Sequence, residues 1–468
     1  MTGLQLTALL PLLILSAGSV LVLLAGAIRP GWYHYQTAAA AALAAGALTL
    51  LLPVDSAVSG LCFTGFSRLM TLVFCGTGTM LLLTCSSYNR RRGVPGEEIP
   101  AVMLFALTGM VATVSATTLL MLFLGLEAGT FAFYILVASE PGSEHGGEAG
   151  LKYLLNGTLA AAILGLGIGL IYCDSGTLDL AALAGTRPEI ISPLRMTAIS
   201  LMLLGVAFKL SLVPLHLWTA DVYQGAPAPV TALLSTASKG TAVAALVLLI
   251  PLFESWRGTG DLLRWLAILT MLAGNLAAMA QNSLKRLLAW SSVGQMGYVA
   301  LAFAAASPRS AVFYLMAYCC AGLASFGAVA AVSGQEEADQ LDGWRGLGYR
   351  SPLAGLALST AMLSLAGIPP TAGFMAKFAV LSAALRAGEL ALALTGIAAA
   401  ALAAYAYLRV IVTLYMKTPG DQPTGLAVEI MSVPETLLLL LAAGSIFGCN
   451  CSKCFTSKRT KYSQLVAL

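Results

Sequence analysis

Long apolar runs separated by short polar stretches set the pattern of this chain. Read between charged and turn-forming residues, the runs fall at 4–28, 37–54, 69–86, 100–115, 117–138, 154–173, 195–215, 226–251, 262–281, 288–307, 310–333, 352–385, 389–416 and 431–448. A helix needs about 20 apolar residues to cross roughly 30 Å of hydrocarbon, and these runs are of that order. Barrel strands would be about ten residues long with alternating polarity, so the pattern predicts fourteen transmembrane helices and an all-α polytopic membrane protein. The first run has no basic residue before it and is too long for a signal-peptide core, so it is read as a span. The connections are too short for a soluble domain.

Two runs are interrupted. Pro214 cuts the seventh, and Gly367-Ile-Pro369-Pro370-Thr-Ala-Gly373 cuts the twelfth. Proline removes a backbone donor and blocks the helix ladder. Broken helices persist at membrane depth only where protein or a water-filled cavity satisfies the freed groups. Two interruptions five spans apart fit an internal repeat of the kind that transporter folds use. Ala149-Gly-Leu-Lys-Tyr-Leu154 and Ala311-Val-Phe-Tyr-Leu315 echo each other at the same separation. Two ordinary kinked helices are the plainer reading.

Composition sharpens this picture. Of 468 residues, 58% are hydrophobic and 10% charged, against about 25% charged in soluble domains, so a soluble globular protein is excluded. A formal net charge of +4 with scattered basic residues gives no nucleic-acid footprint. Nine cysteines without paired spacing do not form a disulfide framework.

Three of the 25 basic residues, Lys209, Lys239 and Lys377, lie inside spans. Connections after odd-numbered spans hold eleven: Arg29, Arg90, Arg91, Arg92, Lys152, Lys285, Arg286, Arg345, Arg350, Arg409 and Lys417. Connections after even-numbered spans hold seven: Arg68, Arg187, Arg195, Arg257, Arg264, Arg309 and Arg386. The excess of basic residues marks the cytoplasmic side and puts the N-terminus outside, although the tail's Lys453, Lys458, Arg459 and Lys461 argue the other way.

Glu127 is central in the fifth span and Lys239 central in the eighth. A charge at the bilayer centre costs about 2.5–3.5 kcal/mol on the insertion scale, and such residues face the bundle interior, pair, and mark ion or proton paths. A fixed buried salt bridge is the alternative. Lys209, five residues before Pro214, either joins the set or snorkels toward the break. Lys377, just past the second break, is placed to satisfy freed carbonyls. One carboxylate with several lysines is a sensible set for moving protons. Desolvation makes a lysine release its proton and a nearby carboxylate makes it hold one, so changing their separation switches it. Glu148 and Lys152 have the favourable i, i+4 order for a helix ion pair, most simply a surface pair. His216 follows Pro214 where a water path could enter, although lone histidines are usually structural.

These residues sit in recognisable runs. Phe208-Lys209-Leu-Ser-Leu-Val-Pro214-Leu-His216-Leu-Trp218-Thr-Ala-Asp221-Val-Tyr223-Gln-Gly225-Ala-Pro227-Ala-Pro229, continuing to Ser235-Thr-Ala-Ser-Lys239, resembles subunit N of proton-pumping NADH:quinone oxidoreductase, respiratory complex I. Leu-Gly-Leu-Glu127, Lys285-Arg-Leu-Leu-Ala-Trp-Ser-Ser and Leu365-Ala-Gly-Ile-Pro369-Pro-Thr-Ala-Gly-Phe-Met-Ala-Lys377-Phe agree, and the likeness runs from about residue 5 to 445. The resemblance implies two inverted five-helix repeats within fourteen helices, with helices 7 and 12 broken. It divides the chain into 1–99 (helices 1–3), 100–251 (first repeat), 262–416 (second repeat) and 417–468 (last helix and tail). It implies that Glu127 and Lys209 form a modulating ion pair, that Lys239 is the central proton carrier and that Lys377 is the terminal site. Glu148, Lys152, His216 and position 295 are possible supports. The implied protein binds no cofactor or metal itself. NADH, FMN, iron–sulfur clusters and quinone belong to partner subunits, and this subunit acts only within the complex. Its partners are an antiporter-like subunit of the M type, small membrane subunits and lipid, with no nucleic acid. The expected location is a bacterial cytoplasmic (inner) membrane.

Two departures stand out. Gln295, in Ser291-Ser-Val-Gly-Gln295-Met-Gly-Tyr298, replaces the histidine usual in the family, and glutamine does not titrate. After Phe447 the expected apolar continuation gives way to a basic tail with Cys449, Cys451 and Cys454, as a late frame change or a lineage-specific ending would leave. Three thiols without a fourth ligand fall short of a closed zinc site. Two other readings remain open: an antiporter-like subunit of a sodium/proton exchanger or membrane-bound hydrogenase, and a structural module whose buried charges hold helices together.

Overall fold

A computed structural model describes residues 3–52, 56–58, 60–94, 96–140, 142–185, 191–418 and 431–448. The cysteine-bearing tail and Arg187 lie outside the described residues. The helices are α1 (Gly3–Ile28), α2 (Tyr33–Leu51), α3 (Gly65–Arg92), α4 (Ile99–Val114), α5 (Leu119–Val137), α6 (Glu144–Ser175), α7 (Leu180–Gly185), α8 (Pro193–Leu210), α9 (Leu217–Gly225) and α10 (Ala228–Leu233). Then follow α11 (Lys239–Phe253), α12 (Gly258–Met279), α13 (Leu284–Ala304), α14 (Pro308–Val332), α15 (Leu347–Arg350), α16 (Pro352–Ala366), α17 (Ala372–Arg386), α18 (Leu390–Tyr415) and α19 (Val433–Gly448). Among the described residues, ten helices are long and apolar enough to cross a membrane, α10 and α11 together counting as one. Adding α2, α4, the α16–α17 pair and α19 accounts for all fourteen expected spans.

Helix ends fall where caps lie rather than where apolar runs stop. The run at 69–86 becomes α3, opened by Thr64 and closed by left-handed Gly93, with Arg90–Arg92 still helical. The run at 154–173 extends back to Glu144 because Ser143 caps that end, its hydroxyl accepting from Gly146 N. Ser and Thr N-caps of this kind contribute about 1 kcal/mol each. Two local features depart from the uniform helices expected. Ser56–Val58 pairs antiparallel with Leu61–Phe63, and the eighth span winds as a π-helix over Leu234–Ser238, ending just before Lys239.

The two halves repeat each other in backbone detail. Leu119 N donates to Leu178 O and Leu180 N to Thr117 O; in the second half Leu284 N donates to Asp339 O and Leu341 N to Asn282 O. By span order the first junction lies on one face of the bundle and the second on the other, as inversion requires. Glycines make the matching helix crossings. A Cβ on Gly109 of α4 would stand 2.4 Å from Gly129 N of α5, and one on Gly274 of α12 would stand 2.4 Å from Gly294 N of α13. Small residues at such crossings are what lets membrane helices approach closely.

Both breaks use the same termination. At the end of α8, Ser211 adopts φ 60° and Leu212 N reaches back to Ala207 O; at the end of α16, Gly367 adopts φ 81° and Ile368 N reaches back to Leu363 O. This is the Schellman closure of a helix. Around the breaks, α10, α11, α13 and α14 are buried on most sides, whereas α1, α6, α12 and α18 turn large apolar side chains such as Leu21, Leu159, Trp265 and Leu394 outward.

Candidate functional site

The first half brings Glu127 and Lys209 together. Glu127 on α5 and Lys209 on the last turn of α8 are nearly buried, with Nζ 3.0 Å from Oε1. The ammonium also donates to Thr130 Oγ1 at 2.6 Å. Lys209 therefore does not snorkel to the break; a carboxylate one helix away offers a better partner than freed backbone. A small cavity of about 20 Å³ lies beside it, lined by Thr130, Tyr153, Lys209, Ser238 and Thr241 together with apolar Met110, Leu126 and Phe133, and so extends toward the helix that carries Lys239. It is roughly the size that admits one water, given polar partners.

Lys239 is fully buried and meets no carboxylate among the described residues. Its Nζ donates to Leu210 O at 2.8 Å and to Ser211 Oγ. The last carbonyls of a helix have no partner within it, and the break leaves Leu210 O in the middle of the bundle. Thr219 of α9 donates to the same Ser211 oxygen at 2.7 Å, and the Trp218 ring lies 5.5 Å from Nζ. Trp218 Nε1 also donates to Phe208 O, and Val213 N donates to Thr270 Oγ1 on α12.

Lys377 repeats this solution at the second break. From α17 its Nζ donates to Leu365 O at 2.7 Å and Ala366 O at 3.1 Å, with the Tyr298 ring 5.2 Å away. The expectation that Lys377 satisfies freed carbonyls agrees with this geometry. Gln295 shares one of them: Nε2 donates to Leu365 O at 3.2 Å and Tyr407 OH at 2.8 Å, while Oε1 accepts from Tyr314 OH. Tyr407 OH in turn lies 2.6 Å from Ser291 Oγ. A water-sized cavity of about 10 Å³ sits among Gln295, Tyr314, Tyr318, Ser364 and Lys377. The amide thus fills its place with three hydrogen bonds, although it carries no proton of its own to pass.

Supporting residues divide. Lys152 pairs with Glu148 at 2.8 Å, both partly exposed, and also with Asp221 at 2.8 Å, which pairs with Arg286 at 2.9 Å. This is a surface network away from the central lysines. His216 stands at the start of α9 with its ring 5.1 Å from Trp290.

Sequence reasoning missed several residues. Lys285, assigned to a connection, is fully buried at the start of α13 and pairs with Glu337. Arg91 and Arg92 bind Glu435 and Glu140 rather than standing free in a loop. Ser211 is an ordinary serine in the sequence, and nothing there marks its left-handed backbone. Lys285 did carry a signal, since it opens one of the runs that resemble the family. Among the described residues no group of three metal-ligating side chains gathers.

Comparison with known proteins identifies the family and the fold. The family described as NADH:quinone oxidoreductase/Mrp antiporter, TM, matches residues 116–403. NADH-quinone oxidoreductase subunit N of Geotalea uraniireducens is 44% identical over 462 residues, covering 95% of this chain and 97% of the relative. That of Geobacter metallireducens is 47% identical over 459 residues, covering 96% of each. A chain of respiratory complex I from Thermus thermophilus with bound aureothin superposes with a TM-score of 0.81 at 31% identity, covering 94% of this chain and 96% of that one. A chain of the Mrp complex from Dietzia shares the fold, with a TM-score of 0.76 at 23% identity over 96% of this chain and 94% of that one.

Proposed function

Because the chain belongs to the NADH-quinone oxidoreductase subunit N family, we propose that Glu127, Lys209, Lys239 and Lys377 are the residues through which it moves protons. The protein is an antiporter-like, proton-translocating membrane subunit of the NADH-quinone oxidoreductase complex, and its partners are other membrane subunits. One observation carries the residue assignment: two buried lysines, Lys239 and Lys377, each hold the carbonyl end of a helix broken at mid-bundle. A lysine bonded to carbonyls and hydroxyls rather than to a fixed carboxylate keeps no counter-charge beside it, so losing its proton separates no ion pair. The Glu127–Lys209 pair supplies the control. While it is closed, the positive charge near Lys239 is compensated; when Glu127 withdraws, Lys209 is left as a cation beside the cavity that leads toward Lys239, and repels its proton onward.

In this reading the four segments 1–99, 100–251, 262–416 and 417–468 are the leading helices, the two repeats and the last helix with its tail. The charge bias puts the face bearing Arg90–Arg92, Lys152 and Lys285 in the cytoplasm and the N-terminus outside, in a bacterial inner membrane. NADH, FMN, iron–sulfur clusters and quinone are bound by partner subunits, and this subunit performs no redox chemistry alone. The test is Lys239→Ala in membrane vesicles, with assembled complex, NADH:quinone turnover and proton pumping measured together. Assembly with lost pumping supports the reading; assembly with wild-type pumping makes Lys239 a structural charge and overturns it.

A further inference from the structure

We propose that Lys285 and Glu337 form a proton-loading pair at the cytoplasmic end of the second repeat, feeding Lys377 along α13; this rests on the proton-carrier reading above. Lys285 lies one residue inside α13 and its side chain is fully buried, whereas Glu337, from the segment after α14, keeps 16% of its side chain exposed. The carboxylate thus touches solvent on one side and the ammonium on the other. It is also held: Oε1 accepts from Tyr88 OH at 2.7 Å and from Ala228 N, at the start of the span that bears Lys239, at 2.7 Å. Lys285 Nζ further donates to Ala226 O at 2.6 Å.

A strap between helices needs no more than this pair. What points past a strap is the rest of α13. Two turns on from Lys285 stands Ser292, which accepts from Tyr318 OH at 2.7 Å and lies 3.5 Å from Tyr223 OH. One turn further is Gln295, with its hydroxyl neighbours and the cavity shared with Lys377. Buried polar groups are costly in a membrane bundle, yet here they follow one helix over ten residues, about 15 Å, from the solvent-touching carboxylate to a buried lysine. In a transfer, the Lys285 ammonium gives its proton to the hydroxyl line and becomes an amine. The Glu337 carboxylate, left without its cation, then takes a proton from water at the surface and hands it to the amine, which restores the ammonium–carboxylate pair.

The test uses membrane vesicles holding the assembled complex and Lys285→Arg, which keeps the ion pair but does not deprotonate. Glu337→Gln is the companion, since it retains an acceptor for Tyr88 and Ala228. The expected result is normal assembly with proton pumping lowered by about tenfold or more, the low end of what a lost proton-transfer group costs. If neither variant assembles, the double variant Lys285→Met/Glu337→Met replaces the pair by apolar bulk and must still fail to pump. Wild-type pumping by any assembled variant overturns the proposal. Lys239→Ala run in parallel separates the two claims: if it is inactive while Lys285→Arg pumps, the loading pair is wrong and the carrier assignment stands.

Discussion

The Lys239 ammonium donates to the carbonyl oxygen of Leu210 at 2.8 Å, so the charge at the centre of one span closes the end of another. Ser211, the next residue, contributes its hydroxyl to the same ammonium while its backbone sits at φ 60°. A non-glycine residue in that region is strained by about 1–2 kcal/mol, and the corresponding residue of the second break is Gly367, at φ 81°. Lys239 and Thr219 both donate to the serine oxygen, an acceptor that a glycine at this position would not supply.

Ser211→Gly therefore separates stability from coupling. The expected outcome is an assembled complex whose melting temperature in detergent is unchanged or raised, because the strain is relieved. Proton pumping should fall several-fold, since Lys239 then keeps a single acceptor. Ser211→Ala should lose pumping and stability together. If Ser211→Gly pumps normally, the hydroxyl has no part in holding the carrier's proton.

The Glu127–Lys209 pair predicts a rescue that restores one property and not the other. Removing one partner of a buried ion pair costs about 3–5 kcal/mol, while replacing both by apolar residues is often neutral. Glu127→Gln should lower the amount of assembled complex, seen on a blot of solubilised membranes. The double variant Glu127→Leu/Lys209→Met should recover assembly and still pump poorly. Recovered pumping in the double variant would make the pair structural.

Much of this architecture was legible in the sequence because a bilayer leaves a chain few choices. The fourteen apolar runs, the interruptions at Pro214 and Pro369–Pro370, and the intramembrane Glu127, Lys209, Lys239 and Lys377 could all be read directly. The partners of the charges were not. Arg91 meets Glu435 across most of the chain's length, and Lys285 meets Glu337 from a segment two helices on. Such pairings follow from how helices pack, which hydropathy does not encode. Counting Lys285 among solvated connections had the same origin: an apolar run stops at a charge, whereas the helix continues to its Ser283 cap. The π-helical turn before Lys239 has no proline or glycine of its own to announce it.

Gln295 occupies all of its hydrogen-bonding capacity but one acceptor direction, between Tyr314, Tyr407 and Leu365 O. Gln295→Leu takes from the Tyr314 hydroxyl its partner, a loss worth about 1–3 kcal/mol when buried, and leaves Tyr407 OH with Ser291 and Leu365 O with Lys377. Pumping and assembly should both decline. Gln295→His keeps a ring donor and an acceptor and adds a titratable group, so pumping at or above the wild-type rate is expected. A His variant that assembles and does not pump would mean that the amide's two donors, rather than a path past it, are what Lys377 requires.

The matched glycine crossings predict that the two repeats are packed by the same contact. A methyl group on Gly109 or on Gly274 meets a backbone nitrogen at 2.4 Å, and backbone within a helix pair yields only if the helices separate. Overpacking of this kind costs about 1–3 kcal/mol or more. Gly109→Ala and Gly274→Ala should each reduce assembled complex, whereas Gly76→Ala, with open space around its Cβ position, should not. The diagnostic is which lysine responds. Displacing α5 moves Glu127 away from Lys209, and displacing α13 moves Gln295 away from Leu365 O. The residual complex of Gly109→Ala should therefore resemble Glu127→Gln in pumping per assembled unit, and that of Gly274→Ala should resemble Gln295→Leu. Equal loss of assembly with wild-type pumping per unit in both would show that the crossings support the fold without positioning the buried charges.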